Sequence, residues 1–365
     1  MVTRAYLATF RFKAFLMLAI LASSSGRLNA AIIKGPYLQN VTQTAVTVCW
    51  ASDVDEAGAV GITAVSGGTA ISGKDKEATR LHKVRVVGLS PNTHYNYTVA
   101  CGADKASGTF PSAVTADKPF RFVAYGDNRG DPTVHASILA GMLKFDPAFV
   151  INSGDIVANG EDEALWTEFF HTAAKMLSQS PFFPCLGNHE RSGAAYLRYF
   201  DYAREYSFDY GNVHFATIDT NQPVSEYAAQ DEWLKKDLAD HQSATWRVVF
   251  FHHTPFTCVT KDGRREAAEK LRARLEPILK AGNVQLVING HDHDYQHHLA
   301  SGINYLVSGG GGAPLYEVIA DTPFVKFAKM VHHYCEISVD GAKMHVRAVE
   351  ADGKLVDEFD LKAGG

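Results

Sequence analysis

Paired cysteines are what this 365-residue chain most plainly lacks. Its five cysteines (Cys49, Cys101, Cys185, Cys258 and Cys335) are scattered with no CxxC among them, which excludes a zinc knuckle and a thioredoxin-type redox pair. Cys49 sits beside an inward-facing Trp50, whereas Cys101 shares the phase of Tyr95, Tyr97 and Val99. The two therefore face opposite sides of their strands, and buried free thiols are expected rather than a disulfide. A membrane-length apolar run is missing too. Ala14 to Ala22 gives only nine apolar residues, against roughly 20 for a spanning helix. Arg4, Arg11 and Lys13 precede that run and Leu28-Asn29-Ala30 follow it, so residues 1–30 read as a signal peptide cleaved near Ala30. The expected product is a secreted or periplasmic chain with no stable membrane anchor. Positive charge is also scarce: 35 basic residues stand against 40 acidic ones. Loss of Arg4, Arg11, Lys13 and Arg27 with the leader leaves 31 against 40, a net charge of −9, which argues against nucleic-acid binding. No internal repeat and no low-complexity tract is present.

What the chain does have changes character part-way along. From Ala31 to about Pro111 the pattern is all strand. Val46, Val48 and Trp50 alternate inward, as do Tyr95, Tyr97 and Val99 after the turn Ser90-Pro91-Asn92. Short alternating runs between Gly, Asn, Ser and Pro clusters predict a small β-sandwich over 31–115. A polar linker, residues 111–119, follows. Beyond it strands alternate with helical stretches at 161–179, 226–241 and 264–281, the mark of an α/β domain over 119–362. Residues 206–210 and 213–218, joined by Gly211-Asn212, predict a hairpin. Residues 331–361 predict two short strands about Asp340-Gly341.

Five polar blocks each follow an apolar run rich in β-branched or aromatic residues: GDNR at 126–129, GD at 154–155, GNHE at 187–190, HH at 252–253 and GHDH at 290–293. The runs, 120–125, 148–151, 181–186, 248–251 and 284–288, read as buried strands. Strand carboxyl ends in an open α/β sheet face one crevice, so these blocks can converge across the 166 positions from Asp127 to His293. Carboxylate, amide and imidazole donors without thiolates suit Zn, Mn or Fe rather than a structural zinc site. Two adjacent cations need an anionic bridge, and Asp155 is the candidate, oriented by Asn152 and Ser153. His291 and His293, two apart in a turn, could serve different ions. Gly309 to Gly312 has no P-loop lysine and reads as a flexible turn near the site. His297 and His298 could line the pocket or support it from behind. His82, His94, His135, His171, His214, His241, His332 and His333 read as structural or surface residues.

Taken in order, the five blocks resemble the calcineurin-like metallophosphoesterases, and with the β-module they resemble the purple acid phosphatases. GNHE and GHDH match that family's GNH and GHxH, Val249-Phe250-Phe251-His252 matches VxxH, and Gly154-Asp155 begins its GDxxY. Gly35-Pro36-Tyr37-Leu38-Gln39-Asn40 resembles its first β-domain strand, and the spacing from Leu89 to Val99 resembles a fibronectin type III module. The resemblance implies an α/β metallophosphoesterase domain, mixed β-sheets packed as a sandwich with flanking helices, preceded by an all-β fibronectin type III-like sandwich. It implies Asp127, Asp155 and His293 on one ion, and Asp155, Asn188, His252 and His291 on the other. His252 rather than His253 follows from the VxxH register. His189 would face the substrate and either stabilise the transition state or protonate the leaving alkoxide.

Two departures modify that expectation. Ala158 stands where the family carries the tyrosine that binds ferric iron, which favours a pair of divalent ions. Arg129 stands where many members of the superfamily place a histidine. Its guanidinium is assigned to a phosphate oxygen, against the alternative of pairing with a carboxylate. Asn128 is a second substrate or water-mediated contact, and His253 shapes the pocket mouth. The expected reaction is in-line attack on a phosphate monoester by hydroxide formed from a metal-bridging water. The expected partner is a small-molecule phosphate ester. A phosphodiesterase or nucleotide hydrolase is the alternative, and a non-catalytic surface-binding protein on a degenerate domain is the alternative from another class.

Overall fold

The computed structural model describes residues 30–261 and 263–363; the expected signal peptide lies outside the described residues. The first seven strands form two antiparallel sheets. One has the order β1 (Ile32–Gln39), β2 (Ala45–Glu56), β5 (Thr79–Val87). The other has β4 (Ile71–Lys74), β3 (Gly58–Ala64), β6 (His94–Cys101), β7 (Asp104–Pro111). Val46, Val48 and Trp50 from the first sheet and Tyr95, Tyr97 and Val99 from the second are all buried, and burial of each large side chain contributes about 1.5–3 kcal/mol. The Tyr95 hydroxyl accepts from the Ser90 backbone N–H at 2.7 Å and ties down the turn before its own strand.

Simple alternation fails on β2, where every residue from Ala45 to Ser52 is buried. The second face of this sheet is covered by the next part of the chain. Tyr37 packs on Phe170 with ring centroids 5.0 Å apart, and its hydroxyl donates to Tyr199 O at 2.6 Å. The Gln39 side-chain Oε1 accepts from the Asp201 N–H at 3.0 Å and from the Cys49 thiol at 3.3 Å. All five cysteines are buried thiols.

Two further sheets make the α/β part. The six-stranded sheet runs β10 (Phe182–Pro184), β9 (Val150–Asn152), β8 (Phe120–Tyr125), β18 (Tyr334–Asp340), β19 (Lys343–Val349), β20 (Leu355–Lys362). The seven-stranded sheet runs β11 (Tyr206–Tyr210), β12 (Val213–Thr217), β13 (Trp246–Phe250), β14 (Leu286–Asn289), β16 (Ile303–Ser308), β15 (Tyr295–Ala300), β17 (Val325–Lys329). Strands β8, β9 and β10 are mutually parallel, as are β12, β13, β14 and β16. The sheets meet through aromatic rings: Phe215 packs edge-on against Phe122 and Phe149 at 5.3 and 5.4 Å. The C-terminal segment adds three strands, not the expected two. The third, β20, is an edge strand whose charged sequence, LVDEFDLK, hides its period.

Helices α1 (Pro132–Phe145) and α2 (Glu163–Leu177) accompany the first sheet, and α2 also packs against β1. After the short α3 (Ala194–Tyr199), helices α4 (Tyr227–Asp240) and α5 (Arg264–Ala281) cover the second sheet. Leu234, Leu238, Leu275 and Leu279 form a separate core there with Val249 and Val287. Asp131 caps α1 by accepting from the N–H groups of Thr133 and Val134, and Pro132 begins the helix where no N–H is needed.

Candidate metal centre

Each of the five blocks falls at the carboxyl end of a strand: Asp127 after β8, Asp155 after β9, Asn188 after β10, His252 after β13, and His291 and His293 after β14. The turns are tight. Asp127 (φ 54°), Asp155 (φ 54°) and His291 (φ 70°) adopt left-handed backbone, a conformation costing about 1–3 kcal/mol each that persists only when surrounding contacts dictate it. Those contacts are present. Asp127 N–H donates to Gly154 O at 2.9 Å, His291 N–H to Asp127 Oδ2 at 2.9 Å, and Asp155 N–H to Glu190 Oε2 at 3.0 Å. The glycines before the donors follow from the same crowding. A Cβ on Gly187 would lie 2.3 Å from Asp155 N, and one on Gly290 2.4 Å from Asp127 Oδ2.

Around His252 Nε2 gather Asn188 Oδ1 at 3.1 Å, His291 Nδ1 at 3.2 Å and Asp155 Oδ1 at 3.4 Å. Donor atoms on a tetrahedral cation with bonds of about 2.0–2.2 Å stand about 3.3–3.6 Å apart, so this cluster is within a few tenths of an ångström of the span of a coordination shell. Three imidazoles are anchored alike: Nδ1–H donates to a backbone carbonyl and Nε2 is left for the site. His252 uses Ser153 O (2.9 Å), His293 uses Pro314 O (2.7 Å) and His189 uses Ala158 O (2.7 Å). His293 Nε2 stands 3.5 Å from Asp127 Oδ1, a buried carboxylate oxygen with no hydrogen-bond donor among the described residues. Such an orphan acceptor fits a cation, as does the mutual approach of Asp127, Asp155 and His252.

The site's charge is balanced internally. Burial opposes charge on His252, yet Asp155 and Asp127 outweigh it and raise the imidazole's pKa. Burial likewise works against an ionised Asp155, but His252, the backbone N–H of His189 and Arg129 hold its carboxyl below the usual range. His253 is pushed down to about 3 by burial and by its charged neighbour His252.

Asn152 and Ser153 do not orient the Asp155 side chain as expected. Asn152 bonds Gly154 N–H and Asn128, and Ser153 supplies its carbonyl to His252. Glu190 holds this loop instead. Its buried carboxylate accepts from the N–H groups of Asp155, Ile156 and Gly187 at 3.0, 2.8 and 2.6 Å, and burial followed by the charge of Asp155 raises its pKa to about 7. The signal was visible as the last letter of GNHE, three residues after Gly187. Asn128 is tied into the same floor. Buried, it donates to Ile156 O and accepts from Asn152, both at 2.9 Å, and so braces the loop after β9. Arg129 Nε donates to Asp155 Oδ2 at 3.1 Å, and its Nη2 stands 3.4 Å from His293 Nε2. His253 packs tilted against His291, ring centroids 4.2 Å apart, and bonds Thr220. Gly309 to Gly312 is not a flexible turn but a buried one: a Cβ on Gly311 would lie 2.4 Å from Gly126 O. His297 stacks on Phe359, and the buried His298 bonds Gln296. Tyr316, unforeseen, stacks on His293 at 4.2 Å.

A family model described as calcineurin-like phosphoesterase matches residues 120–295, the span holding all of these donors. Residues 120–295 are a calcineurin-like phosphoesterase domain. Hydrolysis of phosphoric esters is the chemistry of that family, which normally binds two metals. Purple acid phosphatase 21 of Arabidopsis thaliana is 28% identical over 238 residues, covering 60% of this chain and 53% of that protein. The chain spans about half the length of the curated relatives it matches. Among solved structures, purple acid phosphatase PPD1 from yellow lupin (Lupinus luteus) seeds superposes with a TM-score of 0.79 at 17% identity, over 90% of this chain and 74% of that one. PhoD superposes with a TM-score of 0.71 at 13% identity, over 91% and 90%. At such identities the shared property is the fold, and the coverage carries it into the N-terminal sandwich.

Proposed function

We propose that the chain is an exported, metal-dependent hydrolase of phosphate monoesters, composed of a fibronectin type III-like module over 31–115 and the phosphoesterase domain over 119–362. One observation carries the reading: six donors from five strand ends converge, with Asn188, His291 and Asp155 around His252 Nε2 and His293 beside the unpartnered Asp127 Oδ1. They form two sets, Asp127, Asp155 and His293 in the first, and Asp155, Asn188, His252 and His291 in the second. Zn, Mn or Fe fits these donors, and Ala158 in place of a phenolate favours divalent ions. Bound cations in such a site polarise the phosphoryl oxygens and lower the pKa of the attacking water.

The rest falls to the chain's own side chains. His189 Nε2 lies 3.9 Å from Asp155 Oδ2 with its ring fixed through Nδ1–H, so the imidazolium form would present its Nε2–H to the leaving alkoxide beside the bridging carboxylate. Arg129 offers the remaining edge of its guanidinium to a phosphate oxygen. His253 and the donor His291 line one side of a cavity of about 780 Å³, whose other walls include Tyr227, Arg264, Leu271 and Arg274. That volume favours a second reading, a phosphodiester whose other ester group lies in the cavity.

One preparation should be assayed on p-nitrophenyl phosphate and on its bis-ester, before and after chelation. The expected result is faster monoester turnover, loss on chelation and recovery with Zn²⁺ or Mn²⁺. Faster bis-ester turnover selects the second reading, and turnover indifferent to chelation overturns both. Iron-reconstituted protein should lack strong visible absorption; a violet preparation would refute the divalent assignment.

A further inference from the structure

The two donor sets are unequal, and the inequality centres on one side chain. The second set has four protein donors. The first has three, to which the neighbouring Arg129 adds no lone pair. Arg129 does not merely omit a ligand: its Nε lies 3.1 Å from Asp155 Oδ2 and its Nη2 lies 3.4 Å from His293 Nε2. The guanidinium therefore rests against two of the three donors of the first set. The opposite oxygen of the same carboxylate, Oδ1, faces His252 and the second set at 3.4 Å. Asp155 thus bridges a fixed organic cation and the second set.

We propose that Arg129 acts as a built-in substitute for the first cation, so that the chain binds one divalent ion tightly at Asp155, Asn188, His252 and His291 and a second only weakly. This rests on the metal dependence proposed above but not on two ions being bound. A guanidinium stays charged at any working pH. Arg129 is only 16% exposed, so water screens it poorly and the side chain cannot leave its place without losing its ion pair. A divalent ion among Asp127, Asp155 and His293 would meet that like charge at contact range. An ion in the second set is separated from it by the Asp155 carboxylate. Asp127 Oδ1, the acceptor left without a donor, is what remains for a weakly held ion.

The test is the metal-binding stoichiometry of the folded full chain with Zn²⁺, read by equilibrium dialysis and elemental analysis. Wild type should retain one ion per chain, with a second at least about 10- to 100-fold weaker, the scale on which neighbours of a metal shell alter affinity. Arg129→Ala should tighten the second ion by a similar factor, Arg129→His should tighten it further by restoring a donor, and Arg129→Lys should leave it weak. With Mn²⁺, wild type at one equivalent should give the spectrum of an isolated ion by electron paramagnetic resonance. Arg129→His at two equivalents should give an exchange-coupled pair. Two equally tight ions in wild type, or an Arg129→Ala variant with unchanged second-ion affinity, would overturn the substitution and leave the hydrolase reading standing. Folded wild type that retains no ion would remove both.

Discussion

Two histidine clusters in this protein have nearly the same composition and different chemistry. Around His214, Asp209 Oδ1 meets Nδ1 and Asp237 Oδ2 meets Nε2, both at 2.8 Å, while His241 stacks on the ring at 3.7 Å. Both ring nitrogens are consumed by carboxylates. Around His252, one nitrogen is spent on a backbone carbonyl and the other faces an amide oxygen, a carboxylate oxygen and a second imidazole. Asp209, His214 and His241 lie close enough together to hold an ion, yet His214 has no lone pair to give. What separates a ligand cage from a structural network is how many donor atoms remain unpaired, not which residue types are present.

That contrast can be broken most sharply at its two centres. His252→Ala should abolish retained metal and hydrolysis together, whereas His214→Ala should leave both unchanged; elemental analysis with a phosphatase assay checks the pair. A smaller loss is expected at His189, which is anchored like a ligand but assigned to proton transfer. His189→Ala should lower kcat by about 10²- to 10⁴-fold with metal content intact, and lost metal would reassign it. Glu190→Gln keeps the volume but weakens three hydrogen bonds beneath Asp155, and should cost about 10- to 100-fold in metal affinity, measured by Zn²⁺ titration.

The smallest effect belongs to the structural cluster. Burial lowers the His214 pKa, but Asp209 and Asp237 more than offset it, so the net shift is upward. A group raised on folding stabilises fully below its unfolded value, about 6.5, and loses that contribution as pH rises through the folded value. His214→Asn should therefore destabilise by about 1.5–3 kcal/mol at pH 5.5 and by less at pH 8.5, as read by urea unfolding. A gap that widens at high pH would contradict the assignment.

Much of the site was legible because its donors are tied to strand ends, and strand ends are marked locally. Phe120 to Tyr125 ends in GDNR, and residues 284–288 run into GHDH; five such junctions suffice to name the convergence. Helix α5 was legible from Ala268, Leu271, Leu275 and Ile278 at spacings of three and four. What escaped depends on contacts distant in sequence. The two-sided burial of β2 is imposed by Phe170 and the 199–202 segment. The support for Asp155 comes from a carboxylate 35 positions away. The partners of Arg129 are fixed only when β8, β9 and β14 are brought together, so its residue type told of a phosphate or a carboxylate but not which. The Gly309–Gly312 run was misjudged because glycine marks both pliant chain and chain pressed against a neighbour.

The hydroxyl of Tyr37 reaching Tyr199, with Phe170 beneath its ring and Gln39 clasping Asp201, makes the N-terminal sandwich part of the α/β domain's own wall. Cutting the chain at the 111–119 linker would not free two finished pieces. It would bare one aromatic flank on each, and the halves should clump or melt early, while the uncut molecule gives a single heat-absorption peak in calorimetry.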